Sequence, residues 1–117
     1  MAKKILIVDD SQFMRAVIKD ILEKQGYEIA GEAATGEAAI DMAMDLNPDV
    51  VTLDNILPDM QGTDILKVYK QEGLSCRVIL ISAVGQDSAI EQGMSMGAHA
   101  YIVKPFTPEQ LAHAIEK

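Results

Sequence analysis

Tryptophan is absent and cysteine occurs once, at Cys76. No disulfide can form within the chain, which favours a reducing compartment. Aromatic residues make up only 4%, so any core must be aliphatic. Cations are in deficit, with 10 Lys and Arg against 18 Asp and Glu and a net charge of −8. That deficit argues against nucleic acid as a partner, because Lys and Arg are what displace counterions from phosphates. It suits a protein that carries metal ions or docks on basic patches, although charge spread along the chain also reads as ordinary solvated surface. Long hydrophobic runs are missing too. None approaches the ~20 apolar residues needed to cross a bilayer, so no membrane insertion is expected. The apolar run after Met1-Ala2-Lys3-Lys4 meets Asp9 and Asp10 too soon to serve a signal peptide. A cytoplasmic protein is expected. There is no low-complexity segment, charge block or Pro/Gly-rich linker, and 117 residues fit one domain, spanning 1–117.

What is present is alternation. Hydrophobic residues reach 49%, enough for a packed core. The runs Ile5-Leu6-Ile7-Val8, Val50-Val51-Thr52-Leu53, Val78-Ile79-Leu80-Ile81 and Tyr101-Ile102-Val103 are rich in β-branched residues and almost continuously apolar. Strands buried on both faces have that character. Residues 27–32 alternate more and read as an edge strand. Between the runs lie helical segments. Over 11–24, Phe13, Val17 and Ile21 with Met14, Ile18 and Leu22 form a wide apolar stripe, opposite Arg15, Lys19 and Glu23. Ser11 is the expected N-cap and Gly26 the expected stop. Further helices are expected over 36–46, 63–72 and 87–96, the last weakened by Gly93 at roughly 1 kcal/mol against Ala. Thr107-Pro108-Glu109 opens a fifth, with Thr as cap and Pro in the first turn.

Five β–α units imply an α/β fold: an open, doubly wound parallel sheet with helices on both faces and right-handed crossovers. A closed barrel would need about eight units and ~250 residues. In open α/β sheets, ligands bind beyond the carboxyl ends of the strands. Strand one ends in Asp9-Asp10, strand three in Asp54, strand four in Ser82-Ala83 and strand five in Lys104-Pro105. Parallel strands place all of these at one rim. Clustered carboxylates repel one another unless a cation neutralises them. All-oxygen ligation suits a hard divalent ion, and Mg²⁺ is the expected choice, with Asp9 and Asp10 as adjacent ligands. Lys104 is suited to pair with a phosphoryl oxygen, and Ser82 to donate a hydrogen bond to another. Asp54, alone at the end of a central strand, is the best candidate nucleophile for phosphoryl transfer.

In identity, order and spacing, Asp9-Asp10, Asp54 followed by Leu57-Pro58 and Gly62, Ser82-Ala83 and Lys104-Pro105-Phe106 resemble the receiver domain of two-component response regulators. The resemblance spans essentially the whole chain. It implies a flavodoxin-like fold with strand order 2-1-3-4-5. It also implies that Asp54 accepts a phosphoryl group from a histidine kinase or a histidine phosphotransfer protein. Asp9, Asp10 and Asp54 would hold Mg²⁺ with the backbone carbonyl of Ile56. Ser82 and Lys104 would contact the phosphoryl group, and Tyr101 would act as an aromatic switch. The output face would comprise the fourth helix, fifth strand and fifth helix, including Ile90, Tyr101 and the Lys104-Pro105-Phe106 turn. Within the family the chain is most similar to single-domain chemotaxis regulators, through Ile7-Val8-Asp9-Asp10, Phe13-Met14-Arg15 and Ser82-Ala83-Val84-Gly85-Gln86. A flagellar motor switch is then the leading output partner, and a phosphatase is among the partners the family allows. A phosphorelay intermediate, or a regulator of another pathway, is the alternative. Asn55-Ile56-Leu57 departs from the usual pattern after the acceptor, which bears on the lifetime of the phosphorylated state.

Blander readings exist for each residue taken alone. Asp9-Asp10 could be a helix N-terminal charge pair, Ser82 a turn residue, Lys104 a solvated cation, and Tyr101 a packed ring with a wet hydroxyl. His99 and His113 read as surface residues. Met42, Met44, Met94 and Met96 read as core filler, with Met94 or Met96 available to a partner face if exposed. Cys76 shows no activating motif. Among rival functions, an aspartyl-phosphate hydrolase usually needs a further Asp two residues after the nucleophile, where Ile56 stands. A flavin or nucleotide module needs a phosphate loop after strand one, where Asp9 and Asp10 would repel it.

Overall fold

The computed structural model describes residues 2–117. Five strands alternate with five helices: β1 Lys4–Val8, α1 Gln12–Lys24, β2 Glu28–Ala33, α2 Gly36–Leu46, β3 Val50–Asp54, α3 Gly62–Gln71, β4 Arg77–Ser82, α4 Asp87–Ser95, β5 Ala100–Val103 and α5 Pro108–Glu116. All strand pairs are parallel, in the order β2-β1-β3-β4-β5. Both the doubly wound architecture and the strand order agree with expectation. Edge strand β2 is only half buried, while β3 is buried at every position.

The apolar runs lack alternation because each strand feeds two cores. Successive side chains point to opposite faces of a sheet. Ile5, Ile7, Val50, Ile79, Ile81 and Ile102 pack with Ile18 and Leu22 of α1 and Leu111 and Ile115 of α5. Leu6, Val8, Val51, Leu53, Val78 and Leu80 pack with Ala39 and Ala43 of α2 and Ile65, Leu66 and Tyr69 of α3. The Tyr69 hydroxyl donates to the Ala39 carbonyl at 2.8 Å and ties α3 to α2.

Helix ends follow the expected chemistry. Ser11 Oγ accepts from Met14 N–H at 3.1 Å, and Thr107 Oγ1 accepts from Gln110 N–H at 3.1 Å. Gly26 follows α1 with φ +91°, in the left-handed region that favours glycine. Gly93 weakens α4 for a reason outside its own helix. A Cβ there would meet Leu80 Cδ1 at 2.7 Å and Tyr101 Cδ2 at 3.2 Å, so glycine lets α4 lie close on β4 and β5. One expectation needs correction. Met42 and Met96 do pack against a core, but Met44 and Met94 are exposed, because they fall on the outer faces of α2 and α4.

The α1/α5 core contains one polar flaw. Thr52 is fully buried between Ile7 and Ile79, and its Oγ1 has no hydrogen-bond partner. An unpaired buried hydroxyl costs about 1–3 kcal/mol, and valine has nearly the same shape without it. Thr52→Val is therefore expected to stabilise the domain by about 1 kcal/mol, read as a higher urea midpoint at unchanged m-value.

Candidate functional site

Side-chain parity decides what reaches the rim from which side. Asp9 continues the face of Ile5 and Ile7, Asp54 that of Val50 and Thr52, and Lys104 that of Ile102, so all three emerge on the α1/α5 side. Ser82 continues the face of Val78 and Leu80 and emerges on the opposite side. The two sets bracket one spot beyond the strand ends.

One carboxylate oxygen from each of Asp9, Asp10 and Asp54 lies within 4.8 Å of the other two. Lys104 Nζ is 3.4 Å from Asp9 Oδ2 and 3.7 Å from Asp54 Oδ2. Asp9 is buried, Asp10 is exposed, and Asp54 retains 9% of its surface. Asp9 Oδ1 accepts from Ser11 N–H at 2.9 Å, which fixes its rotamer, while Asp54 Oδ1 accepts from Ile56 N–H at 3.3 Å. Ser82 is buried, and its Oγ accepts from Val84 N–H at 3.1 Å. The Tyr101 hydroxyl donates to the carbonyl of that same Val84 at 2.7 Å. The Lys104–Pro105 peptide is cis.

The expected residues thus converge: Asp9, Asp10, Asp54 and Lys104 form one cluster, and Ser82 and Tyr101 meet at the backbone of Val84. Ile56 adjoins through its N–H, with its side chain largely in solvent. Two contributors were not anticipated. Arg15 reads as part of the solvated face of α1, yet its Nη1 donates to the Asp9 carbonyl at 2.7 Å and its Nε pairs with Glu32 at 3.1 Å. Its place in the first turn of α1, just after the acidic pair, is the signal that could have found it. Val84 serves through its backbone alone, for which side-chain chemistry gives no sign.

Charge in the site is unbalanced. Burial raises the Asp54 carboxyl above its ordinary range, and the Asp9 carboxylate adds to the rise. Lys104 and the Ile56 N–H pull it back in part, and Asp10 pushes it up a little further. The donor set is all oxygen and short of positive charge, which fits a hard divalent cation.

A family model for the response regulator receiver domain matches residues 5–116. The chain belongs to that family. As a receiver domain it is a signalling module of the two-component type. It is 44% identical to the chemotaxis protein CheY of Bacillus subtilis over 117 residues, covering 100% of this chain and 98% of the relative. It is 42% identical to CheY of Thermotoga maritima over 117 residues, again with 100% and 98% coverage. Among solved structures, the CheX–CheY–BeF₃–Mg²⁺ complex of Borrelia burgdorferi superposes with a TM-score of 0.91 at 33% identity, covering 97% of this chain and 86% of that one.

Because its carboxyl is raised in the folded receiver, Asp54 lowers stability at neutral pH, where it is charged. That penalty fades as pH falls through the raised value towards the ordinary carboxylate range. Asp54→Asn is expected to raise the melting temperature in EDTA at pH 7 by about 2–5 °C, corresponding to about 1 kcal/mol. The gain should shrink at pH 4 and also on adding Mg²⁺ at pH 7, both read by thermal melts of the two proteins.

Proposed function

We propose that the receiver is a single-domain response regulator, 1–117, switched by Mg²⁺-dependent phosphorylation of Asp54 and acting through protein contact. The observation that carries this reading is the convergence of three carboxylates and Lys104 at the carboxyl rim of the sheet. Asp9, Asp10 and Asp54, with the backbone carbonyl of Ile56, would hold the ion. When bound, Mg²⁺ offsets the charge of the carboxylates and of the incoming phosphoryl oxygens.

The remaining chemistry belongs to the side chains. An Asp54 oxygen attacks the phosphorus of a phosphohistidine on a histidine kinase or histidine phosphotransfer protein. The new P–O bond forms as the P–N bond breaks, and the imidazole nitrogen keeps the electron pair. Lys104 stands between Asp9 and Asp54 and supplies a positive charge to one phosphoryl oxygen. Ser82 uses its oxygen as an acceptor for Val84, so its own O–H is free to donate to another. Movement of Ser82 then shifts Val84, and with it the partner of the Tyr101 hydroxyl. Such a protein catalyses only its own phosphorylation and dephosphorylation.

Two surfaces support the partner assignments. An apolar groove of about 380 Å³, lined by Met14, Val17, Ile21, Pro105 and Phe106, opens beside Lys104 and fits the apolar face of a donor helix. On the output side, His99, Tyr101, Val103, Gln110 and His113 line a second groove along β5 and α5, with Met94 exposed on neighbouring α4. Likeness to CheY over the full chain favours chemotaxis and a flagellar motor component as output. A histidine phosphotransfer protein at the same face would instead mark a phosphorelay. No helix among the described residues is long and apolar enough to cross a membrane, which suits a cytoplasmic role.

Acetyl phosphate with Mg²⁺ is expected to label the wild type and leave Asp54→Asn at background, with labelling lost in EDTA. Millimolar Mg²⁺ should raise the wild-type melting temperature, since it binds only the folded state; occupancy near saturation contributes about 1–2 kcal/mol. Labelling that persists in Asp54→Asn would move the acceptor elsewhere. A pull-down with and without beryllofluoride then separates the pathways by what it enriches.

A further inference from the structure

We propose that Asp59 is a positioning residue for the metal centre. Its carboxylate pins the loop between β3 and α3 to the start of α2, and so fixes Ile56 and Asp54 relative to Asp9 and Asp10. The inference rests on the proposed binding of a divalent cation by the acidic trio.

The start of α2 supplies the observation. A helix leaves its first N–H groups without intrahelical partners. In α2, the N–H of Ala38 goes to Thr35 Oγ1 at 3.1 Å and that of Ala39 to the Thr35 carbonyl at 3.0 Å. The remaining two go to Asp59. Gly36 N–H donates to its Oδ1 at 2.7 Å and Glu37 N–H to its Oδ2 at 3.0 Å. Thr35 already caps the helix in the ordinary way. The second acceptor arrives from the loop that follows the phosphoacceptor. Asp59 is exposed, yet these two N–H groups hold its carboxyl below the usual carboxylate range, so it stays charged at the positive end of the helix dipole.

The loop that carries Asp59 is stiff. Asn55 N–H donates to the Ile81 carbonyl at 3.1 Å and prolongs the β3–β4 ladder. Gly62 N–H closes the base on the Asn55 carbonyl at 2.7 Å, where a Cβ on Gly62 would meet Asn55 Cα at 3.0 Å. Higher up, Ile56 and Gln61 form an antiparallel bridge, and Leu57 N–H donates to the Met60 carbonyl at 3.1 Å. Asp59 sits at the tip of this cross-linked unit and Ile56 near its base, bonded to Asp54 Oδ1 at 3.3 Å. Met60 lies over Gly36, where a Cβ would leave it no room. Releasing the tip therefore frees the whole unit to rock about its base, which moves Ile56 against Asp54. Coupling of this kind is reciprocal: if the anchored loop binds the ion better, the ion must strengthen the anchor.

The test titrates Mg²⁺ into the full chain by calorimetry, for wild type, Asp59→Asn and Asp59→Ala, at a temperature where circular dichroism shows each folded. Partners one step behind metal ligands typically change affinity by about 10–100-fold, and Asp59 acts one step further back through a stiff loop. Asp59→Ala should weaken Mg²⁺ binding about five- to tenfold. Asp59→Asn, which keeps one acceptor oxygen, should weaken it less. In the wild type, Mg²⁺ should slow amide exchange at Gly36 and Glu37 by a comparable factor, a response lost in Asp59→Ala. A cap with only a structural role would lower the melting temperature while leaving the Mg²⁺ affinity within about twofold and the exchange rates indifferent to the ion; that pattern overturns the proposal. Wild-type protein that fails to bind Mg²⁺ at all overturns the cation reading beneath it, so the two failures are told apart.

Discussion

Three carboxylates with an oxygen each inside 4.8 Å, served by one shared ammonium, are an arrangement that only a rigid frame can impose. Left to themselves the groups would separate, since each like-charge contact is costly where water is partly excluded. The frame is the pair of aliphatic cores. Ile5, Leu6, Ile7, Leu53, Ile79, Leu80 and Ile81 are essentially inaccessible to solvent, and the strands they form end at the site. Apolar burial in the body of the sheet offsets the repulsion concentrated at its rim, and the raised Asp54 carboxyl records what remains.

The same frame explains why the site has two sides. Odd and even positions along a strand face different cores, so a one-residue change of register would carry Asp54 away from Lys104 and towards Ser82's side. The parallel pairings Asp54↔Ile81 and Ser82↔Val103 hold that register, and both cores oppose a slip. Carboxylates and ammonium therefore gather over α1 and α5. The hydroxyl emerges on the opposite face, where the aromatic ring lies against Gly93 of α4. α1, α2 and α5 start on side-chain caps, whereas Gln86 caps α4 with none, and Gly93 lowers its helix propensity. A perturbation at the rim meets least resistance in that direction.

Much of this was legible in the letters. Apolar runs marked four of the five strands, and the residues that interrupted them marked the rim, because Asp9, Asp54, Ser82 and Lys104 each break a hydrophobic pattern where an open α/β sheet binds its ligand. Periodicity placed α1 and its caps for the same reason: local chemistry settled them. What could not be read were contacts between elements distant in sequence and made by backbone. Asp59 holds two N–H groups of α2, and Gly93 makes room for Leu80 and Tyr101, and neither has a local signature; Arg15, only six residues from the Asp9 carbonyl it holds, had one in its place just after the acidic pair. Met44 and Met94 misled as core because methionine is apolar by composition, and only its position on the helix face shows that it meets water.

The backbone contacts also decide how a charge placed on Asp54 could be felt elsewhere. Lys104 is shared, so a phosphoryl group that draws it closer weakens its hold on Asp9. Ser82 and Tyr101 are shared in a different sense, since both hydrogen-bond to opposite ends of the one residue Val84. Side chains bonded to the N–H and the C=O of one residue are coupled through its backbone, whereas side chains that merely pack can slide. Under the proposed reading, the hydroxyl carries the change from the α1/α5 side of the rim to the α4 side, and the two peptides that flank Val84 convert it into a displacement of the loop before α4. Neither Coulomb attraction at Lys104 nor packing around Tyr101 supplies that directionality, because both act on whatever lies nearby. The two hydrogen bonds at Val84 would, since they tie one side chain at the rim and one on β5 to the backbone of a single residue.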